Sequence, residues 1–269
     1  MKKKLILFSA VAGVLIFIAA FAEYICPYDP YQQNYDIALQ PPSIAHPFGT
    51  DRYGRDMLSR VLMGSRISIF STLILVAVIA VAGTAVGLLC GYVKGTVDSV
   101  LMGISDVFLA FPGLVFALAI ASLLGGGVQN AVIALAAVSW PKYARLARSQ
   151  TMAVKNTDYI SAARLSGSSP CQVVIRHVLP NIIGPVLVTA VLDIGTMIME
   201  IAALSFLGLG ASPPAAEWGS MMSEGRSMLQ TYPWTVLTPG IAVFVSVMVF
   251  NLLGDAVRDF ADPRNGGKK

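Results

Sequence analysis

Apolar residues gather along this chain into six long runs, at about 5–22, 67–91, 100–124, 128–146, 185–210 and 237–257. Each reaches the roughly 18 residues that a helix needs to cross a bilayer. The runs are continuous, whereas barrel strands alternate over segments of about ten residues. The pattern therefore predicts an all-α polytopic membrane protein with six transmembrane helices. Pro112 and Gly113 fall inside the third run and predict a kink, because proline removes a backbone donor. The first run follows Lys2, Lys3 and Lys4 and ends in small residues, like a secretion signal, but its length favours a retained helix.

Composition agrees. Of 269 residues, 55% are hydrophobic and 13% charged, against about a quarter charged in soluble domains. The net charge of +4 carries no nucleic-acid signal, since in membrane proteins the side on which cations lie matters more than their sum. With the N-terminus inside, segments 1–4, 92–99, 141–184 and 258–269 hold 14 of the 19 Lys and Arg. That bias predicts both termini in the cytoplasm. Cys26, Cys90 and Cys171 are far apart and suggest neither a disulfide nor a metal site.

The polar segments divide by character. Residues 23–66 open on an irregular, proline-rich half and close on HPFGTDRYGRDMLSRVLMGSRIS, which predicts a short amphipathic helix leading into the second span. Residues 211–236 predict ordered surface structure, with Trp218 and Trp234 suited to a membrane interface. Gly83, Gly87 and Gly91 repeat at four-residue spacing, the pattern of close helix approach, either within one bundle or between subunits.

One inner stretch, DYISAARLSGSSPCQVVIRHVLPN (158–181), is polar and punctuated. Thr157 or Asp158 is placed to cap a helix that Gly167 ends, and Ser169–Pro170 starts a second helix that Pro180 ends. The first helix is too short to be stable alone, and it exposes Ser161, Ala162 and Ala163. It is suited to docking another protein.

Ala162-Ala163, then Gly167, then Leu179-Pro180 resemble the EAA loop of permeases in binding-protein-dependent ABC importers, read as E-A-A, three residues, G, nine residues, I-x-L-P. Ser161 stands in the Glu position and His177 in the Ile position; Asp158 on the same helix offers a replacement charge. HPFGTDRYGRDMLSR, SFLGLG, EWG and FNLLGDAVRDFADPR are similar to C-type permeases of the dipeptide, oligopeptide and nickel group. The resemblance implies a type I importer permease fold, with residues 1–66 as first helix and extracytoplasmic segment, and 67–269 as a five-helix core carrying the loop 141–184. It also implies a second homologous permease as a heterodimer partner, two ATPase subunits, an extracytoplasmic substrate-binding protein and a bacterial inner membrane. Asp158, Ser161, Ala162, Ala163, Gly167, Leu179 and Pro180 become the ATPase-coupling residues. No phosphate-binding GxxxxGK[ST] loop is present, so ATP is expected to be used by the partners and no cofactor by this chain. No catalytic residue set is expected.

Ionisable residues within spans tend to face a cavity or a partner. Asp193, Met197 and Glu200 share one face of the fifth span and are candidates for the translocation path. Asp193 and the sequence around it resemble nickel-type permeases, so nickel or a metal chelate is the expected substrate, with dipeptides or oligopeptides the alternative. His46 and His177 are read as structural. A reading of another class, a secondary transporter driven by ion gradients through Asp193 and Glu200, lacks the paired broken helices such proteins often carry. The orientation has a direct test: a reporter fused after residue 150 should show cytoplasmic activity, and extracytoplasmic activity there refutes it.

Overall fold

The computed structural model describes residues 2–261; Met1 and the tail 262–269, including part of the last inner segment, lie outside them. Regular structure among the described residues is helical, apart from one isolated bridge between Thr50 and Asp56. Six helical segments match the six apolar runs: α1 (Lys2–Ile25), α2 (Met57–Val93), the pair α3 (Gly95–Ala110) and α4 (Gly113–Leu123), α5 (Val128–Lys155), α8 (Leu179–Leu204) and α10 (Trp234–Ala261). Three short helices complete the chain: α6 (Asp158–Leu165), α7 (Pro170–Val173) and α9 (Trp218–Gly225). By length and composition, four helical stretches can cross a membrane, and α3 with α4 counts as a fifth if taken together. Helix α5 is apolar only in its first half; its second half carries Lys142, Arg145, Arg148 and Lys155.

The expected kink at Pro112–Gly113 is a 94° bend. Phe111 is extended and Pro112 leaves the helical region with ψ 115°, so the chain turns a corner instead of flexing. The amphipathic helix expected before the second span does not form separately. Residues 46–56 are an ordered loop, and the charged residues after them are the first turns of α2. Asp56 is the reason: its carboxylate accepts from the Ser59 backbone amide and hydroxyl, each at 2.7 Å, which fixes the helix start at Met57.

Pro180 does not end its helix either. One π-turn, Val174–Val178, joins α7 to α8, with the Leu179 amide donating to the Val174 carbonyl. The wider turn lets the backbone pass a residue that lacks an N–H, and Pro180 sits in the first turn of α8 where no donor is needed. A helical rod therefore runs from Pro170 to Leu209, closing on a second π-turn, Ser205–Leu209, in which Gly208 takes φ +91°.

Helix α2 is the centre of the bundle. It packs against α1, α3, α5, α8 and α10. Its closest neighbour is α5, and the three glycines form the seam. A Cβ at Gly83 would stand 2.5 Å from the Trp140 carbonyl, at Gly87 2.3 Å from the Ala144 carbonyl, and at Gly91 2.7 Å from the Thr151 Cβ. The glycine repeat thus serves packing within one chain. Helix α1 closes the other side through the buried Ala12, Ala19 and Ala22.

The loop 26–56 and helix α9 form a cap over the end of the bundle where α2 and α10 start. Asp51 accepts from the Tyr53 and Arg55 amides and from Arg55 Nε at 2.6 Å, and Arg55 also reaches Glu224 at 3.0 Å. Glu217, wholly buried, caps α9 through the Gly219 and Ser220 amides and accepts from Ser68 of α2. Trp218 is not at an interface. It is 3% exposed and donates from its indole to the Val61 carbonyl at 2.9 Å. Trp234 is half-buried and donates to the Thr50 carbonyl.

Gly87→Leu should separate α5 from α2 and cost at least about 2 kcal/mol; a fall in the thermal unfolding midpoint of the detergent-solubilised protein would show it. Gly103→Ala, where nothing lies within 4 Å, should leave the midpoint near wild type.

Candidate functional site

Two regions gather the residues singled out in the sequence. The first is α6 and its surroundings at the inner end of the bundle. Helix α6 is closed by reciprocal bonds around Gly167, which takes φ +84°. The Ser168 amide donates to the Ala163 carbonyl at 3.1 Å and the Gly167 amide to the Arg164 carbonyl at 3.0 Å. That is the glycine-centred helix stop expected at this position. The second start is also present: Ser169 and Gln172 cap each other's backbone amides, with Pro170 in the first turn.

Ile160 holds α6 to the bundle. It is fully buried among Ala147, Val173, Val178 and Ile182. Tyr159 adds a polar tie, donating to the His177 carbonyl at 3.2 Å and accepting from Asn181 at 2.9 Å. Arg164 and Lys155 lie over the Tyr92 ring. With Ile160 turned inward, Asp158, Ser161 and Ala162 face solvent, Ala163 is half-buried, and Gly167 and Pro180 are exposed. Leu179 is half-buried against the Ile160 cluster. Leu165, not singled out from sequence, is 90% exposed.

The second region is a cleft of about 210 Å³ between the α3–α4 corner, α5 and α8, lined by Phe108, Phe111, Lys142, Asp193, Met197 and Glu200 among others. All three candidate path residues meet there. Sequence reasoning missed Lys142. It pairs with Asp193 at 2.5 Å, the carboxylate being 5% exposed and the ammonium side chain 57%. The wholly buried Tyr143 lies beside the same carboxylate without completing a hydrogen bond.

This pair is one rung of three. Arg145 pairs with Asp106, and Arg148 holds Asp98 by two parallel bonds of 2.5 and 2.6 Å. Lys142, Arg145 and Arg148 recur every three residues, so α5 presents cations to α8 on one side and α3 on the other. The signal was legible in principle: three evenly spaced cations at the end of an apolar run need anionic partners, and Asp98, Asp106 and Asp193 are acids on neighbouring spans. His46 is structural, its Nδ1 2.9 Å from Asp56. His177 contributes its carbonyl to Tyr159 and Asn181. Among the described residues no cluster of three or more His, Cys, Asp or Glu has the arrangement of a metal site.

The described fold is a bundle of membrane-length helices with a charged cleft between its spans and an anchored, outward-facing inner helix. The chain belongs to the binding-protein-dependent transport system inner membrane component family, which matches residues 83–266. Residues 1–42 match the N-terminal transmembrane domain of oligopeptide transport permease C. The chain is 43% identical over 252 residues to the glutathione transport system permease protein GsiD of Pectobacterium atrosepticum, covering 93% of this chain and 84% of that one. It is 42% identical over 262 residues to the probable D,D-dipeptide transport system permease protein DdpC of Escherichia coli, covering 97% and 88%. In structure it resembles the inward-facing MetNI methionine ABC transporter, with a TM-score of 0.62 at 18% identity over 77% of this chain and 98% of that one.

Family membership makes the chain a non-catalytic inner-membrane subunit of an ABC importer, a class that works with separate ATPase subunits and a substrate-binding protein. The secondary-transporter reading is set aside on this ground. The expected nearness to nickel-type permeases finds no support in these relatives, which are named for glutathione and D,D-dipeptide transport.

The Arg148–Asp98 rung has a test of its own. Asp98→Ala should leave a partly buried guanidinium unpaired and loosen α3; faster amide exchange confined to α3 and its corner is the expected result, measured on the solubilised protein.

Proposed function

We propose that this chain forms half of the transmembrane pathway of an ATP-driven importer of short peptides. A second, homologous permease completes the pathway as a heterodimer. Two ATPase subunits consume the ATP and act through α6, and an extracytoplasmic binding protein delivers the substrate. The observation that carries the substrate class is the near-full-length similarity to permeases named for glutathione and D,D-dipeptide transport. The cleft favours the same choice over a metal ion. Lys142 already neutralises Asp193, and Glu200 alone offers fewer ligands than a metal ion takes.

The coupling role rests on the build of α6. Ile160 and Tyr159 bind it to the rod that starts at Pro170, while Asp158, Ser161, Ala162 and Leu165 are left outward. Small side chains allow close approach, Leu165 supplies an apolar anchor, and Asp158 in the first turn supplies charge where the family's Glu is replaced by Ser161. Ala163 and Gly167 set how near a partner's surface can come.

Proteoliposomes holding the full complex and its binding protein should accumulate a labelled dipeptide only when ATP is inside with the ATPase subunits. Ala163→Arg should cut uptake to below about a tenth, as loss of an interface anchor does, with unchanged membrane insertion. Uptake at the wild-type level would remove α6 from the coupling role.

A further inference from the structure

Glu200 and Lys142 line the same cleft but are used unequally. Among the described residues Lys142 makes one polar contact, to Asp193. An ammonium has three donors, so two remain for something in the cleft. Glu200 is half-buried and makes no hydrogen bond or ion pair among the described residues. An unsatisfied carboxylate within a spanning helix is costly, and such groups face water or a ligand. The cleft thus offers one cationic and one anionic partner, separated by apolar walls from Phe108, Phe111 and Met197.

Their spacing has a length. Asp193, where Lys142 is held, and Glu200 are seven residues apart on α8, or about 10 Å along the helix axis at 1.5 Å per residue. An extended peptide advances about 3.3–3.6 Å per residue. Two to three residues bridge the two groups, and longer chains overshoot.

We infer that the cleft binds a short peptide as a zwitterion, with Glu200 accepting from the terminal ammonium and Lys142 donating to the terminal carboxylate. The inference rests on the reading of the substrate as a short peptide. Lys142 uses its spare donors for the ligand, so Asp193 remains paired while the site is filled. The apolar walls make no demand on particular side chains, and selection falls on the two termini and the distance between them.

The test is binding of radiolabelled tri-alanine to the complete permease–ATPase complex in nanodiscs, without the binding protein. N-acetyl-tri-alanine and tri-alanine amide should each bind about tenfold or more weakly, the loss expected for one charge-assisted hydrogen bond, and penta-alanine should gain nothing from its second end. Glu200→Gln should bring tri-alanine down to its acetylated form and leave the acetylated form unchanged. Lys142→Gln combined with Asp193→Asn, which leaves no lone buried charge, should do the same for the amide. A complex that imports tri-alanine yet binds all forms equally, shows no tri-alanine binding, or keeps its preference after Glu200→Gln overturns the site. A wild-type complex that imports no peptide at all overturns the substrate reading instead.

Discussion

The contact on which the rest of the molecule depends is the glycine seam between α2 and α5. Gly83, Gly87 and Gly91 remove side chains where the α5 backbone passes, with carbonyls of Trp140, Ala144 and Arg148 in the space a Cβ would occupy. In a membrane, where apolar surface gains little from leaving lipid, such close van der Waals packing is a main source of association. The seam uses the face of α5 that carries Ala144, Ala147 and Thr151. Lys142 and Arg145 are thereby left on other faces, free to reach Asp193 and Asp106. The position of the cleft follows from a packing choice made elsewhere on the same helix.

Much of the chain's polar signature proves to be architecture. In HPFGTDRYGRDMLSR, His46 meets Asp56, Asp51 gathers Arg55 and two backbone amides, and Asp56 starts α2. In EWG, Glu217 caps α9, Trp218 anchors to α2, and Gly219 lies against the Ala202 carbonyl where a Cβ would stand at 2.3 Å. These groups answer one demand, that buried polar atoms be paired, and they hold the extracytoplasmic cap to the spans. The residues proposed above to act, Glu200 and the outer face of α6, are by contrast left unsatisfied or turned outward.

The spans and the caps around Gly167 and Ser169 were legible because each depends on neighbours in sequence: apolar run length, a left-handed glycine, a Ser–Pro start. What stayed hidden depends on distant neighbours. The 94° corner after Phe111 requires knowing that no continuous helix survives Pro112. The burial of Trp218 requires Val61, more than a hundred residues earlier. Lys142 looked like part of an inner loop because the apolar run fades there, and only the fold brings Asp193 within reach. Pro180 misled for a different reason: a π-turn of five residues absorbs it, and nothing local distinguishes that from a helix end.

The helix that runs from Pro170 through Leu204 to the kinked turn at Gly208 has a mechanical consequence. The thirty-five residues from Pro170 to Leu204, at 1.5 Å each, make a rod about 50 Å long, enough to reach from one side of a bilayer to the other. Its inner end abuts α6 and its outer end is the glycine-bearing π-turn beside the extracytoplasmic cap. In the proposed coupling, a push at α6 therefore has a helical path toward the cap with no loop along it. The two π-turns, Val174–Val178 and Ser205–Leu209, with their wider and weaker hydrogen-bond spacing, are where such a path would yield first, and the regular helix between them carries Asp193 and Glu200.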